Sequence, residues 1–313
     1  MYKVNFYGFF DDFNKSDNFI LDAIRKNGEV EISEQPDYVF FSVFDNEYLL
    51  HTNAVRIFFT GENVAPNFQL CDYAIGFERM DFGDRYLRFP FYYGMPSYQK
   101  DLCRAQQKHL YVEPADFDRK FCSFVYSNSD TDGSRKKLFD ELNRYRHVDA
   151  GGKLFNNVSE RITDKYKFEH CHKFSIACEN SSHPGYCTEK ILQSFAAGTI
   201  PIYYGDATIN MDFNEKAFVN CHKYSNIKEA VEFVKFLDQN RDAYFQMLSE
   251  PVYTDANYAS RMQAKFEDFI ANIFQQPKEQ AYRRNRFFWG EKLDRKYKKI
   301  YQAERIVKKI LRR

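Results

Sequence analysis

Between Lys173 and Tyr204 the chain spells one complete βαβ unit, and the polar loop inside it restricts the fold more than any other stretch. Lys173-Phe174-Ser175-Ile176-Ala177-Cys178 reads as a short buried strand, and Thr199 to Tyr204 reads as a second apolar strand. Thr188 to Ala197 between them reads as a helix, with Thr188 as N-cap and Gly198 as terminator. Strands joined this way lie parallel. The loop from Glu179 to Thr188 therefore falls at the carboxyl end of the first strand, where open parallel sheets bind ligands.

The same alternation runs through the first third of the chain. Strand-like Val4 to Phe10, a helix near Asn18 to Lys26, and strand-like Tyr38 to Phe44 and Val55 to Thr60 are followed by Tyr73 to Phe77 and Tyr86 to Phe91. The polar passage from Gln99 to Asp118 contains Pro114 and reads as a linker, which puts a domain boundary near residue 115. Beyond it, Phe121 to Tyr126 reads as a strand, Ser127 to Gly133 as a loop, and Ser134 to about His147 as a helix with Leu138, Leu142 and Tyr145 on one face. Asn226-x-x-Glu229 resembles a capping box ahead of a helix from Ala230 to Leu237, and Phe266, Phe269, Ile270 and Ile273 fall at helical spacing. Three segments result: 1–115, 116–276, and a tail at 277–313.

At 313 residues, 44% hydrophobic and 28% charged, the chain has the composition of a soluble protein with room for two cores. The N-terminus reads as a first strand and not as an export signal, which points to the cytoplasm. Seven cysteines without C-x-x-C spacing point to reduced thiols. His170-Cys171-His172 alternate across a strand and cannot converge easily on a metal. Net charge is polarised. Residues 283–313 hold 13 Lys and Arg against three acids, while the remaining 282 residues hold 32 bases against 41 acids.

Three strand ends carry groups suited to chemistry. Glu62 follows Gly61 at the end of an apolar strand, where a carboxylate serves as a general base or simply sits solvated beside a turn. Arg135 lies in the first turn of a helix, a costly place for a cation unless an anion is bound, although Arg135-Lys136-Lys137 also reads as a solvated basic face. Asp130-Thr131-Asp132 matches a D-x-D metal pattern, or caps the same helix. Lys190, beside Thr188 and Glu189, puts a second cation at a helix start. The pair suggests a pyrophosphate site assembled without metal, with Asn180, Tyr186 and Glu189 available for phosphates or sugar hydroxyls. No G-x-S-x-G, P-loop, H-E-x-x-H or G-x-G-x-x-G element occurs, which weakens the hydrolase, kinase, zincin and dehydrogenase readings.

Together these residues resemble the bacterial α-1,3/α-1,4-fucosyltransferase family. The motifs are Phe59-Thr60-Gly61-Glu62-Asn63, Asp72-Tyr73-Ala74-Ile75-Gly76-Phe77, Phe124-Val125-Tyr126-Ser127-Asn128, Arg135, the Glu179 to Lys190 stretch, and Ile200 to Gly205. The resemblance spans roughly residues 38 to 275. It implies an α/β fold of two Rossmann-like domains facing a central cleft, the GT-B type, with GDP-fucose on the C-terminal domain and an oligosaccharide acceptor on the N-terminal one. It further implies an inverting transfer from GDP-β-L-fucose to O3 or O4 of an N-acetylglucosamine-like sugar in a surface glycan. Glu62 would be the base; Ser127, Asn128, Arg135, Asn180, Tyr186, Glu189 and Lys190 would hold the donor. No metal ligand is implied, although Mn²⁺ or Mg²⁺ stimulation is compatible. Two other readings stand beside it: the same fold with a different GDP-sugar, and a non-catalytic nucleotide-sugar or glycan binder.

The tail reads as a basic amphipathic C-terminal helix, with Leu293, Tyr297, Ile300, Val307, Ile310 and Leu311 near one face. An anionic membrane surface is the expected partner of residues 283–313, which would make the protein peripheral on the inner face of the membrane. Docking onto the protein body or another subunit is the alternative. Nucleic acid is not expected because no nucleic-acid-binding fold accompanies the charge, and oligomeric state is not legible.

Overall fold

The computed structural model describes residues 1–129, 131–160, 162–284 and 287–311. Six parallel strands open the chain: β1 (Tyr2–Tyr7), β2 (Val30–Ile32), β3 (Tyr38–Phe41), β4 (Val55–Phe59), β5 (Tyr73–Gly76) and β6 (Tyr86–Arg88), in the order β2-β1-β3-β4-β5-β6. Helix α1 (Phe19–Arg25) starts where Asn18 accepts from the Leu21 amide at 3.0 Å. Strands β3, β4 and β5 are buried at every position, as expected of a parallel sheet covered on both faces.

The second sheet holds β7 (Lys120–Phe124), β8 (Val148–Ala150), β9 (His172–Cys178), β10 (Ile200–Tyr204) and β11 (Val219–Asn220), again parallel, in the order β11-β10-β9-β7-β8. Around it lie α2 (Gln99–Gln107), α3 (Ser134–Tyr145), α4 (Lys165–His170), α5 (Glu189–Ala196), α6 (Ile227–Gln239) and α7 (Arg241–Leu248). The Asn226 cap of α6 is real: its side chain accepts from the Glu229 amide at 3.1 Å. Glu229 in turn accepts from the Ser225 amide, one residue earlier than a full capping box requires.

Helices α8 (Tyr258–Phe274), α9 (Lys278–Ala281) and α10 (Phe288–Leu311) complete the chain. Two compact units result, Met1–Pro96 with Ser260–Arg313, and Ser97–Ala259. This departs from the expected boundaries near 115 and 276 in two ways. The supposed linker contains α2, which packs against α5 and so belongs to the second unit. And α8 belongs to the first, because its aromatic face meets the first sheet: Phe266 stacks on Phe89 at 4.7 Å, and Phe274 packs on Tyr38 and Phe40.

The tail is also not separate. Arg56 on β4 and Asp294 on α10 form a buried pair at 2.7 Å, and Arg284 pairs with the fully buried Asp72. Asp72 also accepts the amides of Arg56, Arg283 and Arg284, each at 2.7 Å. Tyr301 packs against the aromatic cluster around Phe41 and Tyr48. One side of α10 is thus held by the body, as the docking alternative anticipated. The other side is exposed and carries Phe288, Trp289, Ile300, Val307, Ile310 and Leu311.

Candidate active site

Both sheets have a switch point, where the chain leaves one strand in one direction and its neighbour in the other. In the Ser97–Ala259 unit it lies between β7 and β9, and the loops that leave their carboxyl ends are Val125 to Gly133 and Glu179 to Thr188. Arg135 ties these loops together. Its guanidinium donates to the Asn128 carbonyl at 2.8 Å from one loop, and to the Cys178 carbonyl at 3.1 Å and Asn180 Oδ1 at 2.7 Å from the other.

Helical periodicity explains why this arginine and not its neighbours is drawn in. Arg135, Leu138, Phe139 and Leu142 make up the buried face of α3, whereas Lys136 and Lys137 are exposed. Arg135 is 1% exposed and lies 4.0 Å over the Tyr126 ring. Tyr126 is itself pinned, its hydroxyl donating to Ile176 O at 2.8 Å and accepting the Cys178 amide at 2.7 Å. Among the described residues all hydrogen-bond acceptors of Arg135 are neutral, and its Nε is buried without one. Among the described residues the guanidinium at the switch point is thus hydrogen-bonded to no carboxylate, an arrangement suited to receiving an anion.

Lys190 behaves differently from the expectation of a bare cation at a helix start. Its ammonium is 2.9 Å from Glu179 and donates to Thr188 Oγ1 at 2.7 Å, with Glu189 at 3.7 Å. Burial alone would lower its pKa, but Glu179 and then Glu189 hold it above the ordinary lysine value. Glu179 is fully buried and also accepts the Thr188 amide and hydroxyl, both at 2.7 Å. Thr188 stands at the N-cap position of α5 as expected, yet its hydroxyl serves Glu179 and makes no capping bond. Gly205 makes room for this carboxylate: a Cβ there would lie 2.5 Å from Glu179 Cγ.

The remaining expected donor residues come together at the same strand ends. Burial would raise the Glu189 carboxyl, but Lys190 and Lys165 hold it below the ordinary range, so it is an acceptor ready for hydroxyl groups. Tyr186 is 2% exposed and sits within the field of Lys190. Ser127 and Asn128 are exposed on the β7 loop. Asp132 accepts the Ser134 amide at 2.9 Å, the turn role left open for it, and Asp130 lies outside the described residues. Among the described residues no group of three His, Cys, Asp or Glu side chains could hold a metal ion. His170 and His172 serve separate partners, Ala197 O and Asp149.

In the first unit Glu62 is exposed at the carboxyl end of β4, on a turn closed by Thr60, whose Oγ1 accepts the Glu62 amide at 2.9 Å. Its loop borders a pit of about 300 Å³ between the β3 and β4 ends, with Phe41, Tyr48 and Phe58 contributing rings and Ser42, Asn46 and Asn67 contributing polar groups. Apolar rings with a few amides and hydroxyls are what a sugar ring requires. The sheet's own switch point is adjacent and rigid. Gly8, at a φ of +67°, donates its amide to Asp45 at 2.9 Å across the β1 and β3 loops.

Two family descriptions match, the alpha-(1,3)-fucosyltransferase FucT N-terminal domain over residues 4–94 and the glycosyltransferase family 10 (fucosyltransferase) C-terminal region over residues 117–283. The second alone covers more than half of the chain. The chain belongs to glycosyltransferase family 10, the fucosyltransferases.

The family 10 match extends to the first strands, beyond the span legible in the motifs, and leaves residues 95–116 between its two parts. The Helicobacter pylori alpha-(1,3)-fucosyltransferase FucT is 34% identical over 255 residues, 71% of this chain and 53% of that protein. The chain thus spans about half the length of this curated relative. A crystal structure of an alpha1,3-fucosyltransferase with GDP-fucose is similar with a TM-score of 0.71 at 29% identity, covering 86% of this chain and 90% of that one. A second crystal structure of an alpha1,3-fucosyltransferase gives 0.73 at 27% identity, covering 91% and 93%. The expected class, α/β with the two parallel Rossmann-like units of GT-B enzymes, is the one observed.

Two residues of the candidate site have roles that the sequence reading did not assign. Glu179 and Tyr126 were legible only as members of polar and strand-end motifs; their roles as counter-ion to Lys190 and stacking partner of Arg135 arise where β9 meets α5 and β7 meets α3. The signal available was position: both sit at the carboxyl ends of the central strands, where a buried carboxylate or hydroxyl must have a partner.

Proposed function

We propose that this chain transfers L-fucose from GDP-β-L-fucose to a sugar hydroxyl, O3 or O4 of an N-acetylglucosamine-like residue in a surface oligosaccharide, with inversion to an α-fucoside. The observation that carries the reading is the fully buried Arg135 spanning the β7 and β9 loops, whose hydrogen-bond acceptors among the described residues are neutral. As GDP departs, negative charge grows on its β-phosphate, and a fixed cation in a water-poor site lowers the energy of that state without reorganising. Lys190, already balanced by Glu179, adds orientation more than net charge. Glu189, Asn180, Tyr186, Ser127 and Asn128 supply polar groups for the phosphates, ribose or fucose. Glu62, beside a pit of sugar-accepting chemistry, takes the acceptor proton as the new bond forms.

The test is GDP release from a panel of GDP-sugars and oligosaccharide acceptors, with and without EDTA. Turnover with GDP-fucose is expected to persist in EDTA, because the diphosphate charge is met by side chains. Arg135→Met is expected to lower kcat/KM by about 100-fold, the usual cost of one electrostatic stabiliser. Turnover confined to another GDP-sugar, or binding of GDP-fucose without turnover with any acceptor, would overturn the fucosyl-transfer reading.

The same proposal places the protein on the cytoplasmic face of a membrane through the outer side of α10, where Trp289 is 68% exposed and Ile300 44% exposed among Lys292, Lys296 and Lys299. No helix among the described residues is long and apolar enough to cross a membrane. The full chain is expected to sediment with phosphatidylserine-containing vesicles and not with phosphatidylcholine alone, because each cation near an anionic surface contributes about 1 kcal/mol. Trp289→Glu with Ile300→Glu leaves the Asp294 side untouched and is expected to abolish the sedimentation. Equal sedimentation of the double variant would exclude the outer face as the contact.

A further inference from the structure

Helix α5 links two ends of its sheet. Lys190 opens it at the ligand end, and it closes at Ala197 and Gly198, about 12 Å away at the amino-terminal ends of the strands. A cavity of about 200 Å³ lies there, lined by Arg104, Lys108, Asp116, Arg119, Tyr166 and His170 among others. Of the thirteen lining residues four are basic and one is acidic. The single acid is already engaged: Asp116 pairs with Arg119 at 2.5 Å and accepts the Glu113 amide at 3.0 Å.

Helix capping accounts for part of this charge. Arg119 donates to Gly198 O at 2.9 Å and His170 Nδ1 donates to Ala197 O at 2.9 Å, which satisfies the carbonyls that end α5. Lys108 likewise donates to Leu248 O, the last residue of α7, at 2.6 Å. A surface capping lysine leaves its other two N–H groups to water. Lys108 is 4% exposed, and Leu248 O is its hydrogen-bond acceptor among the described residues. Burial pushes its pKa down to about 7 although Glu250 pulls it upward, as befits an ammonium short of a counter-ion. Arg104 lies 3.8 Å over the Tyr166 ring on the cavity wall and is exposed; Asp101 and Asp164 feel its charge, but neither forms an ion pair with it among the described residues.

We propose that this cavity is a second ligand site, distinct from the Arg135 and Lys190 site, that takes a compact oxyanion, either phosphate or a small phosphomonoester. Lys108 at the floor supplies the buried cation, and Arg104 closes over the anion from the mouth. The volume suits such a guest with some of its water, one water taking about 30 Å³ in the liquid. Because the cavity adjoins the C-terminal ends of both α2 and α5, whose N-terminal ends adjoin Lys190, occupancy bears on two helices that frame the donor side.

The test is calorimetric titration of inorganic phosphate, and separately of glycerol 3-phosphate, into full-length protein saturated with GDP, so that the diphosphate site is already filled. One-site binding of at least one probe is expected, weakened about tenfold or more in Lys108→Met, the scale of one charged hydrogen bond in a desolvated site. Lys108→Met keeps the side-chain volume and removes a buried charge, so the fold is expected to persist. Arg104→Gln, at an exposed position, provides a second variant and should weaken binding severalfold. The tighter probe identifies whether the free ion or an ester is the guest. No binding by either probe, or undiminished binding in both variants, overturns the site.

Discussion

For the proposed fucosyl transfer with Glu62 as base, Glu62→Gln should lower kcat by a factor of about 100 to 10,000, the usual contribution of a general base, while leaving the dissociation constant for GDP unchanged. The substitution keeps the size of the side chain but exchanges an acceptor-only carboxylate for a neutral amide, so charge and basicity are both removed. Glu62 is exposed and its turn is held by Thr60 through the backbone, so the fold is expected to survive. GDP binding is expected to be spared because Arg135 and Lys190 belong to helices of the other unit. Glu62→Ala with added formate offers a further check, since a small carboxylate entering the vacated space should recover part of the lost rate. A Glu62→Gln enzyme that turns over at the wild-type rate would remove Glu62 from the mechanism and direct attention to other groups around the β3/β4 pit.

Asp294→Ala should destabilise the first unit by about 3–5 kcal/mol, a fall in Tm on the order of 10 °C for a unit of this size. The reason is asymmetric. The Arg56–Asp294 pair was expensive to bury, but removing one partner leaves the other charge in place without its counter-ion. Among the described residues Arg56 would retain long contacts to Leu70 O at 3.4 Å and Leu49 O at 3.3 Å and the Tyr48 ring at 5.5 Å, with the Arg284 cation close by. Arg56→Met with Asp294→Leu removes both charges and is expected to come back to near wild-type stability or above it. A Tm for Asp294→Ala indistinguishable from wild type would mean that α10 is not held by this pair. The same network shows why truncation near Gln276 is a poor test of the tail's surface: it strips Arg56 and Asp72 of their partners and perturbs the fold along with the function.

Periodic elements were legible from residue types, and their ends were not. Val4 to Phe10 and Tyr38 to Phe44 shorten in the structure to Tyr2–Tyr7 and Tyr38–Phe41, because Gly8 and Asp45 join the two strand ends by a side-chain bond that periodicity cannot register. Helix α2 was hidden by its polarity: only Leu102 and Ala105 of its nine residues are buried, too few for a periodic signal. Strands β8 and β11 span three and two residues and fall below any pattern. In the candidate site, Arg135, Asn180, Glu189 and Lys190 were identifiable as polar groups at strand ends. Which of them carries free charge was not, since that depends on Glu179, invisible as a counter-ion until β9 and the start of α5 are brought together.

The motifs carried the resemblance to the family, and by itself the sequence determined the parallel α/β architecture and the loops at the carboxyl ends of its strands. These follow from local spacing: apolar runs, caps and turn residues act within a few positions of one another. Only the tertiary structure decided that Arg135 is buried while Lys136 and Lys137 face solvent, that Lys190 is paired, and that the tail returns to the first unit. Charge compensation and burial are properties of atoms close in space. Arg56 and Asp294 are 238 residues apart in the chain and 2.7 Å apart in the fold, and no local pattern carries that distance.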